Sequence, residues 1–231
     1  MARRGLKIAM LACVAAVAAP AFGARPVPTS VSSYLLGAKM IRGEFVVKAN
    51  GLHDYRLDRG KLLRRYAAGS LNLLQRDGTK TPVKVASSAR VFLNGAPSTL
   101  RRLRAGMQIA VAHDGDLPAD TVFAGSKHAP KWAQSMVALM LGNRLVRGEI
   151  ALKDTVLHDY RLDHGRIKDV GVFTLLLREP DGSEVTISIS PNVRVRLNGK
   201  NASFFQLRTG MMATTLRDGD KPADQVFATG R

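Results

Sequence analysis

Leu52-His53-Asp54-Tyr55-Arg56-Leu57-Asp58 recurs letter for letter as Leu157-His158-Asp159-Tyr160-Arg161-Leu162-Asp163. An identity of this length within one chain of 231 residues marks an internal duplication, and a repeat has to be recognised before any element is assigned. The match spreads outward on both sides. Arg42-Gly43-Glu44 recurs as Arg147-Gly148-Glu149, and Leu93-Asn94-Gly95 as Leu197-Asn198-Gly199. Leu103-Arg104 with Gly106-Met107 recurs as Leu207-Arg208 with Gly210-Met211. Asp114-Gly115-Asp116 then returns as Asp218-Gly219-Asp220, and Pro118-Ala119-Asp120 as Pro222-Ala223-Asp224. Two homologous domains are therefore expected, over residues 36–125 and 141–231.

Within each repeat the apolar period is two. Phe45 and Val47, Tyr55 and Leu57, Leu71 and Leu73, Val83 and Val85, and Ile109 and Val111 alternate with polar or small residues, as half-buried strands do. Asn50-Gly51, Asp58-Arg59-Gly60, Asp77-Gly78, Asn94-Gly95 and Asp114-Gly115 supply residues that tolerate positive φ, so each is expected to turn the chain between strands. One helical turn is expected at Ser98 to Leu103, and again at Ala202 to Leu207. Short strands at this spacing predict a small barrel or sandwich in each repeat. Between the repeats, residues 126–140 break the pattern. Pro130 can open a helix there, and Trp132, Met136, Val137 and Met140 share one helical face, which predicts a linker helix packed on one barrel or between the two.

The pattern Arg-Gly-Glu plus an apolar strand, Asp-x-Gly, Leu-x-Leu, Asp-Gly, an alternating Val-x-Val strand, Leu-Asn-Gly and Leu-Arg-x-Gly-Met resembles exported bacterial small β-barrel domains of OB-like form whose function is unknown. The resemblance covers most of both repeats. It implies an all-β fold of two tandem homologous small OB-like barrels joined by a short helical linker, in an envelope-associated or extracellular protein. No catalytic residue is implied by it.

Residues 1–23 have the order of a secretory signal peptide: basic Arg3, Arg4 and Lys7, an apolar run from Ile8 to Phe22, then small residues before Ala24. The run is about 15 residues where a membrane span needs about 20, and Pro20 interrupts it. A signal helix followed by a flexible lead-in over 24–35 is expected, and with it an exported protein that is periplasmic, cell-wall-associated or extracellular. The only cysteine, Cys13, lies in this leader, so the exported chain has no disulfide and depends on packing.

Candidate chemistry is sparse. On a strand, His53, Tyr55 and Leu57 point one way and Asp54, Arg56 and Asp58 the other, so His53 and Asp54 cannot act as an adjacent pair. The Asp-Arg-Asp row reads as an ion-paired surface ladder with Asp58 leading into a turn; a ligand or metal role is the second reading. Asp114, Asp116 and Asp120, repeated at Asp218, Asp220 and Asp224, offer oxygen ligands to calcium, but their spacing lacks the closing Glu of an EF-hand and a hairpin turn is favoured. No nucleophile elbow, paired-histidine helix or phosphate loop occurs. No enzyme activity, cofactor or metal is expected. An enzyme would have to use the groove between the barrels.

Charge carries the functional expectation. The chain has 35 Lys and Arg against 18 Asp and Glu, and the excess is uneven: residues 40–125 hold 14 basic and 7 acidic groups, residues 145–231 hold 13 and 11. Arg59, Lys61, Arg64 and Arg65, then Arg101, Arg102 and Arg104, make the first repeat the basic one. At the last group's counterparts the second repeat has Phe205, Gln206 and Arg208. Concentrated cations of this kind suit an anionic partner. The expected function is non-enzymatic binding or scaffolding, with these seven residues contacting an anionic envelope polymer or membrane surface and the second barrel serving packing or protein contact. The alternative is an OB-like single-stranded nucleic-acid binder. Aromatic residues are only 6% of the chain, which leaves few faces for base stacking, so nucleic acid is not the expected partner.

Overall fold

The computed structural model describes residues 27–67, 69–125, 142 and 144–230. The leader over 1–23 and the linker over 126–140, with Trp132 and its neighbours, lie outside the described residues. Fourteen strands form one continuous sheet. In the first half they are β1 (Met40–Lys48), β2 (Leu52–Arg65), β3 (Ser70–Leu74), β4 (Lys80–Leu93), β5 (Ala96–Ser98), β6 (Gln108–Asp114) and β7 (Ala119–Gly125). In the second they are β8 (Leu145–Lys153), β9 (Leu157–Val170), β10 (Thr174–Arg178), β11 (Glu184–Leu197), β12 (Lys200–Ala202), β13 (Met212–Asp218) and β14 (Ala223–Thr229).

Strands β2, β3, β4, β7 and β6 pair in that order, and β6 returns to β2, which closes a five-stranded barrel. The β4–β7 contact is parallel and the others antiparallel, an order compatible with OB-like barrels. Strands β9, β10, β11, β14 and β13 repeat the same circuit of pairings, again with one parallel contact, β11–β14. Closure leaves no long barrel edge open.

Local chemistry accounts for most of the turns. Asn94 at φ 55° and Gly95 at φ 87° make the two-residue link between β4 and β5, which only residues tolerant of positive φ can form. The helical turns fall where expected, as 3-10 turns at Leu100–Arg102 and Phe204–Gln206. One turn does not exist. β2 runs without interruption from Leu52 to Arg65, straight through Asp58-Arg59-Gly60. Gly60 is there for space: a Cβ on it would lie 2.6 Å from the carbonyl oxygen of Leu74, and one on Gly165 in β9 would lie 2.4 Å from that of Arg178. Both glycines let the long strand curl closely past its neighbour.

The stretch expected to be a flexible lead-in is also corrected. Its residues Thr29–Leu35 form a helix, α1, because Val27, Val31 and Leu35 recur at helical spacing and pack into a shared core with Leu36, Met40, Phe45, Val47 and Leu57. That core sits at the joint and takes in Leu145, Ile150, Leu162 and Phe227 of the second half. Two further cores fill the strand circuits, around Leu62, Leu71 and Val111 in one and Ile167, Leu175 and Val226 in the other.

β1 and β8 join the halves as an antiparallel pair with Glu44 opposite Glu149. Arg42 at the start of β1 faces Asp58, and Arg147 at the start of β8 faces Asp163. Because β1 and β8 run in opposite directions, the C-terminal parts of β2 and β9 extend past opposite ends of the joint.

Candidate functional site

The repeated His-Asp-Tyr-Arg-Leu-Asp patch is bound to the repeated Asp-Gly-Asp hairpin. β2 pairs with β6 so that Tyr55 faces Asp114, which puts His53 Nδ1 at 2.8 Å from an Asp114 carboxylate oxygen. The other oxygen of Asp114 accepts the Asp54 backbone N–H at 3.2 Å. The His53 ring stacks on Tyr55 with centroids 5.6 Å apart. In the second half His158 meets Asp218 at 3.1 Å, the Asp159 N–H reaches the same carboxylate, and His158 stacks on Tyr160. On the opposite face Arg56 binds Asp116 at 2.6 Å, Asp54 at 3.5 Å and Glu44 at 3.6 Å. Arg161 binds Asp220, Asp159 and Glu149 in the same way. Like charges placed opposite each other on paired strands repel, and the ion pairs of Glu44 with Arg56 and of Glu149 with Arg161 offset that repulsion.

Asp114 and Asp116 are thus engaged by His53 and Arg56, and among the described residues no three His, Cys, Asp or Glu side chains gather as a metal site. The strand-face reading of His53 against Asp54 matches the geometry, while Asp58 does not lead into a turn. It accepts hydrogen bonds from Gln75 at 3.1 Å and from His113 Nε2 at 3.3 Å. His113 Nδ1 meets the Gly115 carbonyl oxygen at 2.7 Å. With an acceptor at each ring nitrogen, both must donate, so the imidazolium is favoured; the Asp58 hydrogen bond raises the His113 pKa most, against the opposing effect of burial.

In the second half the corresponding positions are Asp163, Glu179 and Arg217. Burial raises the carboxyl pKa of both Asp163 and Glu179, with Arg217 beside the first and Arg147 beside the second. A groove of about 550 Å³ lies over the joint, lined by Arg42, Glu44, Glu149, Leu157, His158 and Asp159. Its two glutamates are the ones held by Arg56 and Arg161.

The basic residues do gather, with one exception. Arg59 is 6% exposed and donates to the Gly37 carbonyl oxygen. Burial lowers its pKa, Arg76 adding to the effect. It braces β2 against the chain that follows α1, and it is no part of an exposed cationic surface. The signal was legible: Tyr55, Leu57 and Arg59 share one strand face once the false turn is removed. Lys61, Arg64 and Arg65 are exposed on the last part of β2, and Arg101, Arg102 and Arg104 are exposed on and after the 3-10 turn. The Gly106 N–H donates to the Leu62 oxygen and the Leu62 N–H to the Met107 oxygen, each at 2.8 Å, which lays the two segments side by side. Arg104 donates to the Arg101 oxygen at 2.8 Å, and the Arg64 guanidinium lies over Tyr66, 5.1 Å from the ring centre. Among the described residues none of these six cations is in a salt bridge, whereas Arg56 and Arg161 have three acidic partners each.

At the same end of the second circuit the counterparts are Arg166, Asp169, Val170, Phe205, Gln206 and Arg208. The strand pairings are shared and the charge is not. No protein-family model matches this chain, and no curated protein matches it at a significant level.

Proposed function

We propose that this protein is an exported, non-enzymatic binding or scaffolding module of two tandem OB-like barrels. Its first barrel uses Lys61, Arg64, Arg65, Arg101, Arg102 and Arg104 to hold an anionic polymer or surface of the cell envelope. One observation supports this most: six exposed cations, none in a salt bridge among the described residues, lie on two adjacent segments at one end of the first barrel. Exposed cations without acidic partners gain affinity for a polyanion mainly by releasing its counterions. Export rests on the signal-like order of residues 1–23.

A single-stranded nucleic-acid reading draws on the same end, where Tyr66 is exposed beside Arg64 and offers a face for stacking. Polyphosphate and a single-stranded oligonucleotide of equal charge separate the two. A charge surface binds both with similar affinity; a clear preference for the oligonucleotide, lost in Tyr66→Ser, contradicts the polymer reading.

A further inference from the structure

The end of the second barrel that matches the basic end of the first is apolar at its apex. The turn over residues 171–173, between β9 and β10, stands beside the 3-10 turn at Phe204–Gln206. A groove of about 320 Å³ there is lined by Asp169, Val170, Phe205, Leu207, Arg208 and Thr209. Three side chains project into solvent: Val172 at 71% exposure, Phe173 at 48% and Phe205 at 66%.

Their supports are firm. Leu207 is buried in the barrel core and Val170 packs against it. Phe205 meets the buried Phe204 edge-on at 6.0 Å. Ser203 accepts the Phe205 N–H, and Gln206 Oε1 accepts the Ser203 N–H at 2.7 Å. The Gly171 N–H donates to Thr174, and the Phe173 carbonyl accepts from Ile189. Apolar tips held in place this way lose little conformational freedom when they are buried.

Cations flank the tips. Arg166 and Lys168 are exposed on the last part of β9, and Arg166 donates to the Gly210 oxygen at 2.9 Å. Arg208 is tied to the Phe205 and Leu207 carbonyls. Against these three stands Asp169. Aromatic and aliphatic tips on two separate turns, with basic side chains alongside, suit a bilayer: the tips enter the acyl boundary while the cations meet headgroup phosphates.

We propose that this end of the second barrel docks on an anionic lipid bilayer, with Val172, Phe173 and Phe205 inserted and Arg166, Lys168 and Arg208 at headgroup level. The first barrel has Arg65 and Arg101 where this end has Val170 and Phe205, so insertion belongs to the second barrel alone. Since the C-terminal parts of β2 and β9 extend to opposite ends of the joint, a membrane and a polyanion have separate places on one molecule.

Flotation of the full chain with phosphatidylcholine vesicles containing phosphatidylglycerol tests this, at low salt and at about 500 mM, where exposed charge contacts are screened. The wild type and the Arg64, Arg65, Arg101, Arg102→Ser variant are expected to float at both. Val172→Ser with Phe173→Ser and Phe205→Ser is expected to bind about tenfold or more weakly, with only a small drop in the thermal midpoint because much of each side chain already lies in solvent. The proposal is overturned if the triple variant floats like the wild type at about 500 mM salt, where the cations of the first barrel are screened. It is equally overturned if the wild type ignores the vesicles, the result expected of an apolar protein partner at these tips, or if only the arginine variant is lost.

Discussion

His164 occupies in β9 the place that Arg59 holds in β2, and the two solve the same burial differently. Arg59 keeps a proton and donates to Gly37; His164, 2% exposed, has Nδ1 2.8 Å from the Thr214 hydroxyl while its Nε2 has no hydrogen-bond partner among the described residues. Burial holds the imidazole neutral and pushes its pKa down from 6.5 to about 4. The unfolded chain takes up a proton near pH 6.5 that the folded chain refuses until about pH 4. This group's contribution is therefore present above pH 6.5 and is lost as pH falls through that window, by about 3 kcal/mol in all. Chemical denaturation at pH 7 and pH 5 is expected to show a larger stability loss for the wild type than for His164→Gln, which does not titrate. The difference between the two proteins removes the shared contributions of Asp163, Glu179 and His113. Equal losses contradict a buried neutral histidine.

At the scale of elements, β2 and β9 are the members that make closure possible. Each spans 14 residues and serves two neighbours on one edge, β1 or β8 first and then β3 or β10. Such a strand must curl midway, and Gly60 and Gly165 mark the place. Gly165→Ala puts a methyl group against the Arg178 carbonyl, a backbone atom that cannot swing aside. A loss of about 1–3 kcal/mol is expected in urea unfolding, as for other overpacked sites, with the same substitution at the open turn glycine Gly182 as a comparison for strain from positive φ. An unchanged midpoint for Gly165→Ala would mean the strands are not packed this closely. Much at this scale was legible in the sequence. Asn94-Gly95 and the period-two runs specify hairpin and strands directly, because the turn type and the pleat demand those residues. The glycine of Asp58-Arg59-Gly60 misled, since a glycine needed for close approach and one needed for a turn are the same letter. The His53–Asp114 and Arg56–Asp116 pairs left a trace in their joint recurrence, but register alone decides that those residues meet.

For the whole molecule, the duplication predicted two copies of one pattern and the pairings show the same circuit in both halves. How the halves join was not legible. Arg-Gly-Glu appears in both strands of the joint, yet nothing local says that β1 and β8 pair with each other. The reason emerges only in three dimensions: Phe45 lies between Gly43 and Gly148, where added Cβ atoms would come within 2.7 and 2.9 Å of its ring. The charge asymmetry was legible in counts, and the fold turns it into a place by laying 61–65 beside 100–107. An electrostatic function of the first barrel depends on that place. Sedimentation of the purified Val172→Ser, Phe173→Ser, Phe205→Ser protein, which lacks the apolar tips of the second barrel, with isolated cell envelopes across about 50 to 500 mM salt tests it most directly. Six phosphate contacts predict a log–log slope of about −4, reduced to about −1 when Arg64, Arg65, Arg101 and Arg102 become Ser. Pelleting that ignores salt, or that survives unchanged in the quadruple variant, would contradict an electrostatic role for the first barrel.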